Sequence, residues 1–346
     1  MDILVGSYSE ELAGMPGNGE GIYRVSFDPE TGAFSDLKLL YSCVNPSSLV
    51  WAREERHLFA GREVFAEHQP AVLSLEMTPD GQIVPLSCLA LPGELPCKIA
   101  YDPHHRRLAS AQYWSGDVAI VSLEDGVFDA NPVYTKQMGH GPNLSRQEGP
   151  HAHYVAFTDQ GDVLHIVDLG TDAVVSHRLG SDNAIEETSC LKLPAGCGPR
   201  HMAITKDERR AFVFCELDES LVTLARDGLG WRVISQQPGF AMEDGVDGSG
   251  AAIRLSPDER HLYVSSRRLS AIACFKVDGE PELLGEIESG GISPREFIVT
   301  SDGNWLIVAN QNSNSLTSLR RDRDTGLLSP SHQTITIGSP VALVEM

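Results

Sequence analysis

The chain has 346 residues, with 48 Asp and Glu against 27 Lys and Arg, for a formal net charge of −21. That balance argues against nonspecific binding to nucleic acid or an anionic membrane, but a local basic cluster could still hold a small anion. Hydrophobic residues at 41% and charged residues at 22% describe an ordinary globular chain, long enough to bury a large core.

The seven cysteines (Cys43, Cys88, Cys97, Cys190, Cys197, Cys215 and Cys274) are odd in number and form no C-x-x-C pair. This usage predicts a reduced, cytoplasmic protein in which cysteines act as small hydrophobes. The opening Met1–Ser7 has no basic segment followed by a long apolar run, so no secretory signal is expected. No apolar stretch approaches the roughly 20 residues of a membrane span.

Taken in order, the chain shows short runs of Val, Ile, Leu, Phe and Tyr bounded by Gly, Pro, Asp and Asn, with no sustained helical period. Asp2–Tyr8, Gly21–Phe27 and Leu37–Tyr41 read as three strands. A paired-strand unit around an acidic or polar turn then recurs, at Leu49–Phe59, Ile99–Leu108, Val155–Val167, Ala203–Phe214, Arg254–Arg267 and Ile298–Val308. The clearest copy is Arg254-Leu-Ser-Pro-Asp-Glu-Arg-His-Leu-Tyr-Val-Ser-Ser-Arg267, with the turn residues a tight connection needs. Val341–Met346 reads as a last inner strand.

The first strands of the units open at Pro46, Pro96, Ala152, Pro199, Gly250, Pro294 and Pro340, spaced by 50, 56, 47, 51, 44 and 46 residues. Counting on from Pro340 through the end and back to Pro46 gives 52, so the circle closes at the same pitch. Repeats of this length built from four short strands are propeller blades. The prediction is an all-β, seven-bladed propeller in one domain over 1–346, its last blade shared between the two termini. Glu10–Glu20, Gln137–Gly149 and the acidic, glycine-rich Ala241–Gly250 are expected to be rim loops. The outer-strand ends Tyr41–Cys43, Leu86–Cys88 and Thr188–Cys190 are expected to pack between blades.

In a propeller, the start of each inner strand and the end of each second strand gather at one mouth of the central channel. The first ring reads Ser47, Cys97, His153, Arg200, Ala251, Arg295 and Val341. The second reads Tyr8, Glu63, Tyr113, Leu169, Glu216, Arg267 and Gln311. Four neighbouring units thus contribute His153, Arg200 with Glu216, Arg267 and Arg295, with His151 and His201 adjacent in sequence. A basic arc with a carboxylate suits an anionic ligand carrying an ester-like carbonyl, since arginine offers planar, permanently charged donors. Blander readings compete: Arg200 and Glu216 could form only a structural ion pair, and strand-end charges commonly face water. His151 and His153 lack a third ligand at a recognisable spacing, so no metal is expected. G-x-S-x-G, a phosphate-cradling loop and Trp-Asp repeats are all missing.

Gly198-Pro-Arg-His201 with Glu216, Pro150-His-Ala-His153, Leu255-Ser-Pro-Asp258 with Leu262–Arg267, and Pro294-Arg-Glu-Phe297 with Ala309-Asn-Gln311 resemble the seven-bladed propeller lactonases. That family includes propeller-type bacterial 6-phosphogluconolactonases and fungal carboxy-cis,cis-muconate cyclase. The resemblance spans essentially the whole chain and implies a cofactor-free hydrolase of a small anionic sugar lactone. It assigns catalysis to Glu216, His153 (with His151 as the alternative histidine) and Arg200, and substrate binding to Arg295, Arg267, His151, His201 and Gln311. Either Glu216 or His153 would serve as base, and either Arg267 or Arg295 as the further arginine. Ala252 and Arg254 stand where members often carry an acid and a histidine, which leaves the substrate open. A cyclase acting on an unsaturated dicarboxylate, or a non-catalytic propeller that binds a sugar acid or a protein, are the other readings.

Overall fold

The computed structural model describes residues 1–242 and 246–346. The expected rim loop Ala241–Gly250 therefore falls partly outside the described residues. Seven antiparallel sheets stand around one axis. Their inner strands are Pro46–Ala52, Pro96–Asp102, Ala152–Phe157, Pro199–Ile204, Gly250–Leu255, Pro294–Val299 and Pro340–Glu345, which we call blades 1 to 7. Each inner strand touches the next, and blade 7 touches blade 1, so the ring is closed. No helix among the described residues is long and apolar enough to cross a membrane.

Blade 7 joins the two ends of the chain. Pro340–Glu345 pairs antiparallel with Asp2–Ser7, and Gly21–Phe27 and Phe34–Ser42 follow outward, as the split repeat predicts. Burial follows position in the blade. Second strands such as Val163–Asp168 and Trp305–Asn310 are buried at every residue, because neighbouring blades cover both of their faces. Outer strands such as Ile185–Lys192 are half-buried or exposed at every residue. Seven apolar clusters fill the seven blade interfaces. The one between blades 6 and 7 includes Ile3, Val5, Val25, Ile307, Ala309 and Leu316.

One blade departs from the common form, and one local expectation needs correction. The outer strand of blade 2 is only Val133–Lys136, preceded by a small hairpin in which Val127–Phe128 folds back on Leu123–Glu124. Asp125 and Gly126 both have positive φ, the geometry of a tight two-residue hairpin turn, and this diverts the chain before the outer strand forms. Cys88 and Cys190 do not pack between blades. They fall on the outward phase of their strands and are exposed, while Cys97, Cys197, Cys215 and Cys274 are buried.

All seven inner strands slip register at the same place. Pairing jumps from Pro46 to Ser48, Pro96 to Lys98, Ala152 to Tyr154, Pro199 to His201 and Pro294 to Glu296. It also jumps between Gly250 and Ile253, and across Val341 in blade 7. Each skipped stretch contains the ring residue read from the sequence. A bulge leaves its extra residue out of the ladder and re-aims its side chain, here at the channel entrance.

Closure of blade 7 should carry much of the ring's cohesion, because its loss exposes two inner-blade faces and a bare strand edge. A chain ending at Ser339 is expected to lose cooperative unfolding or to melt at least about 10 °C lower. Circular dichroism melting checks this.

Candidate active site

Six ring residues (Ser47, Cys97, His153, Arg200, Arg295 and Val341) line a space of about 30 Å³ inside the channel. That is room for a water molecule or two. At the strand-entry end a larger cavity of about 380 Å³ opens, lined among others by Glu63, Tyr113, Arg146, Glu216 and Arg267. His153 and Arg295 line both spaces, and so stand at the junction between mouth and channel.

The centre of the mouth is one carboxylate. Gly198 sits at φ 61°, and a Cβ there would lie 2.4 Å from the Leu217 side chain, so the chain enters blade 4 through a glycine-only turn. The Glu216 amide closes that turn by donating to the Gly198 carbonyl at 2.7 Å. Arg200 at the bulge then faces Glu216 at the end of the next strand. Arg200 Nε donates to Glu216 Oε2 at 2.9 Å, and Arg267 Nη2 reaches the same oxygen at 3.0 Å. Arg146 Nη2 takes Oε1 at 2.5 Å and also donates to the Tyr113 hydroxyl at 3.2 Å. Burial alone would raise the Glu216 pKa, but Arg267, Arg200 and Arg146 together hold it well below the usual carboxylate range. An acid held so firmly ionised, with both oxygens engaged, is a weak proton acceptor. It acts as the anchor of an arginine cluster.

His153 is held in a different state from Glu216. Burial first, then Arg200, keeps it well below the ordinary imidazole value, against the opposing pull of Glu216. The ring is therefore neutral near pH 7. Its Nδ1 lies 3.9 Å from the Cys97 sulfur, and the ring meets Tyr113 and His201 edge-on, with centroids at 5.3 and 5.4 Å.

The two further arginines differ in what they hold. Arg267 is committed, donating to the Ser249 and Gly250 carbonyls as well as to Glu216. Arg295 lies over the Tyr8 ring at 5.3 Å and no closer than 3.9 Å to Glu63, while the Tyr8 hydroxyl donates to Glu63 at 2.8 Å. Its nearest hydrogen-bond partner among the described residues is the Met15 sulfur at 3.9 Å. Most of its five N–H donors meet no acceptor among the described residues and are open to a ligand.

The remaining predicted residues stand off from the cavity. His201 lines the channel below it, and Arg200 Nη1 meets its Nε2 at 2.9 Å. His151 stacks behind Tyr113 with centroids 4.8 Å apart and is held by the Tyr113 carbonyl and Glu148. Gln311 is buried, and its amide donates to the Ser293 carbonyl. Neither His151 nor Gln311 is among the residues that line the mouth. Ala252 and Arg254 do not line it either, because Arg254 turns to pair with Glu296 of blade 6 at 2.6 Å.

Sequence reading did not single out Arg146, because it lies in the Gln137–Gly149 insert outside the repeat. Glu63, Tyr8 and Tyr113 were in the second ring, but nothing in the sequence marked them as partners of Arg295 and His153. Lys98 was also missed. It lines the channel over the Tyr154 ring, and burial followed by Arg254 pushes its ammonium down to about 8 against the pull of Glu296. No group of three or more metal-ligating side chains occurs among the described residues.

Residues 2–345 match the family described as "Lactonase, 7-bladed beta-propeller". The chain belongs to this family of lactonases. This lactonase is 29% identical to the 6-phosphogluconolactonase of Bacillus subtilis over 349 aligned positions, covering 98% of this chain and 96% of that one. It superposes on the periplasmic gluconolactonase PpgL of Pseudomonas aeruginosa with a TM-score of 0.89 at 28% identity, covering 99% and 98% of the two chains. A protein from Lactobacillus plantarum gives a TM-score of 0.90 at 27% identity, with 99% of each chain covered.

The Glu216 anchor makes a prediction with a defined sign. Its native pKa is depressed, so its contribution to stability is complete above the unfolded value near 4.3 and is lost as pH falls through the native value. Glu216→Gln should destabilise the fold by about 3–5 kcal/mol at pH 7 by leaving buried arginines without their counter-charge. The gap from the unaltered protein should narrow below about pH 4.3. Urea titrations across pH measure it, and a gap independent of pH would contradict the anchoring role.

Proposed function

We propose that this lactonase hydrolyses an anionic sugar lactone, a 6-phosphorylated aldonolactone in the first instance, with His153 as base and Arg295 as the oxyanion-binding group. The observation that carries the reading is the junction itself. A neutral imidazole and an uncommitted guanidinium face both a cavity of substrate size and a space of water size. Four arginines (146, 200, 267 and 295) against two carboxylates (Glu63 and Glu216) leave the mouth cationic, which favours an anionic substrate. The printed names of the relatives from Bacillus and Pseudomonas support a gluconolactone or its 6-phosphate.

The steps need no cofactor. His153 takes a proton from a water as its oxygen adds to the lactone carbonyl carbon. The tetrahedral oxyanion is held by Arg295, a type of contact worth about 2.7–4 kcal/mol elsewhere. The ring C–O bond then breaks, and the imidazolium returns its proton to the departing alkoxide, giving the hydroxy acid. Glu216 keeps Arg200 and Arg267 in place and transfers no proton. A cytoplasmic location and a place in hexose-phosphate oxidation, as in the pentose phosphate pathway, belong to the same reading.

One feature favours a second substrate class. Leu12, Ala13, Met15, Leu95 and Trp114 add an apolar wall to the cavity that the arginines line. Such a wall suits a flat carbon skeleton, as in the cyclisation of an unsaturated dicarboxylate. Parallel assays of phosphorylated aldonolactone, free aldonolactone and carboxy-muconate separate the two.

His153→Ala should lower kcat for lactone hydrolysis by about 10²–10⁴-fold and Arg295→Ala by about 10²–10³-fold, with unchanged folding. Because the His153 pKa lies below the usual histidine value, activity corrected for spontaneous hydrolysis should stay flat from about pH 8 down through 6.5 and decline only below that. An acid limb centred at or above pH 6.5 would remove His153 from the role of base.

A further inference from the structure

Arg146 is the one arginine of the mouth that the propeller repeat does not supply. It is presented by a structured turn in the insert. The Arg146 and Gln147 amides both bond to the Asn143 carbonyl, and Ser145 bonds to the Asn143 side chain. Gln147, fully buried, pins the turn to the ring by donating to the Leu169 carbonyl at 2.8 Å and to Asp172 Oδ1 at 2.7 Å. The base of the loop is thus fixed while the Arg146 side chain stays 38% exposed, against 2% for Arg200 and 16% for Arg267.

The contacts of Arg146 are separable from the rest of the site. Glu216 Oε2 is held by Arg200 and Arg267, while Oε1 is held, among the described residues, by Arg146 alone. If Arg146 left Oε1, Glu216 would keep two cationic partners and the buried arginines would keep their counter-charge. Apart from the Tyr113 hydroxyl, Arg146 has no second side-chain anchor among the described residues. It lines the same cavity as Arg267 and Arg295. A phosphate monoester brings a charge of about −1.5 to −2 and three strong acceptor oxygens, which a guanidinium prefers to one oxygen of a carboxylate already paired with two other cations.

We propose that Arg146 exchanges its Glu216 Oε1 contact for the anionic group of the ligand and so sets the preference for phosphorylated over neutral lactones. A neutral lactone gives it nothing to exchange for, and it stays on Glu216. This assignment rests on the lactone reading of the mouth and goes beyond it by placing substrate selectivity in the insert loop.

The test compares the unaltered protein, Arg146→Ala and Arg146→Lys in two measurements. The first is the ratio of kcat/KM for a 6-phosphorylated aldonolactone to that for its unphosphorylated counterpart. The second is calorimetric binding of the product acids, 6-phosphogluconate and gluconate. The ratio should fall about 10- to 100-fold in Arg146→Ala, mainly through KM, with part of it restored in Arg146→Lys. The binding preference for the phosphorylated acid should fall by a similar factor. Equal losses on both lactones would assign Arg146 a structural role through Glu216 and overturn the proposal. A phosphate preference that survives intact in Arg146→Ala would overturn it while leaving the lactone reading standing. No turnover or binding of either pair by the unaltered protein would remove the lactone reading and this proposal together.

Discussion

The site depends on one buried carboxylate shared by three guanidinium groups. Bringing Arg200, Arg267 and Arg146 together at a channel mouth is electrostatically costly, and burial makes it more so. The strain is visible in Arg200, where burial and then Arg267 push the guanidinium down to about 10 even with Glu216 beside it. Glu216 makes the assembly tolerable by giving each cation an acceptor at 3.0 Å or less. It is itself kept ionised by the groups it neutralises. For the buried pair Arg200 and Arg267 neither side of this arrangement is stable without the other, so their geometry with Glu216 is fixed before any ligand arrives. Such preorganisation is what an anion-binding or oxyanion-binding site requires.

The propeller supplies the means of concentrating different chemistries at one point. Every blade makes the same slip in its ladder at the second residue of its inner strand, so every blade sends one residue toward the axis. The fold fixes where these seven side chains go but not what they are. Ala251 and Val341 occupy two positions without charge, and Arg200 donates to the Ala251 carbonyl because no side chain blocks the approach. Tyr8, Leu12, Leu95 and Val341 form a small apolar cluster elsewhere around the mouth.

Much of this was legible in the sequence because a repeat carries its own coordinate system. Once the strand openings at Pro46, Pro96, Ala152, Pro199, Gly250, Pro294 and Pro340 are aligned, the position after each is a ring position whatever its residue type. That places His153, Arg200 and Arg295 without any motif. The same logic could not reach Arg146, which sits in an insert with no counterpart in other blades. Nor could it separate Arg267 from Arg295, since the two differ only in neighbours: loop carbonyls at 3.2–3.3 Å for one, an aromatic face and a distant carboxylate for the other. His151 misled for a related reason. Spacing of two from His153 suggests a shared face, and both rings do meet Tyr113, but His151 lies behind that ring with its own partners. The swap of an acid and a histidine for Ala252 and Arg254 also looked like a change to the mouth. In space it is a change below it, absorbed by the ion pair with Glu296.

The pairing of charges in the mouth bears on turnover as well as binding. Opening a lactone turns a neutral ester into a carboxylate, so the product carries one more negative charge than the substrate. A cluster of free arginines would bind that product more tightly than the substrate and would retain it. Sharing three of the four arginines with Glu216 weakens their hold on any anion, because each contact with a ligand competes with one already made. Arg295, poorly paired and beside the neutral His153, remains the point of strongest unsatisfied attraction, the place that the proposed mechanism gives to the oxyanion. The surrounding chain, at a net charge of −21, repels the product once it has left the mouth. On this view Glu216 serves two ends with one set of contacts: it holds the cations in place for catalysis, and it keeps them from becoming a trap for the acid they help to make.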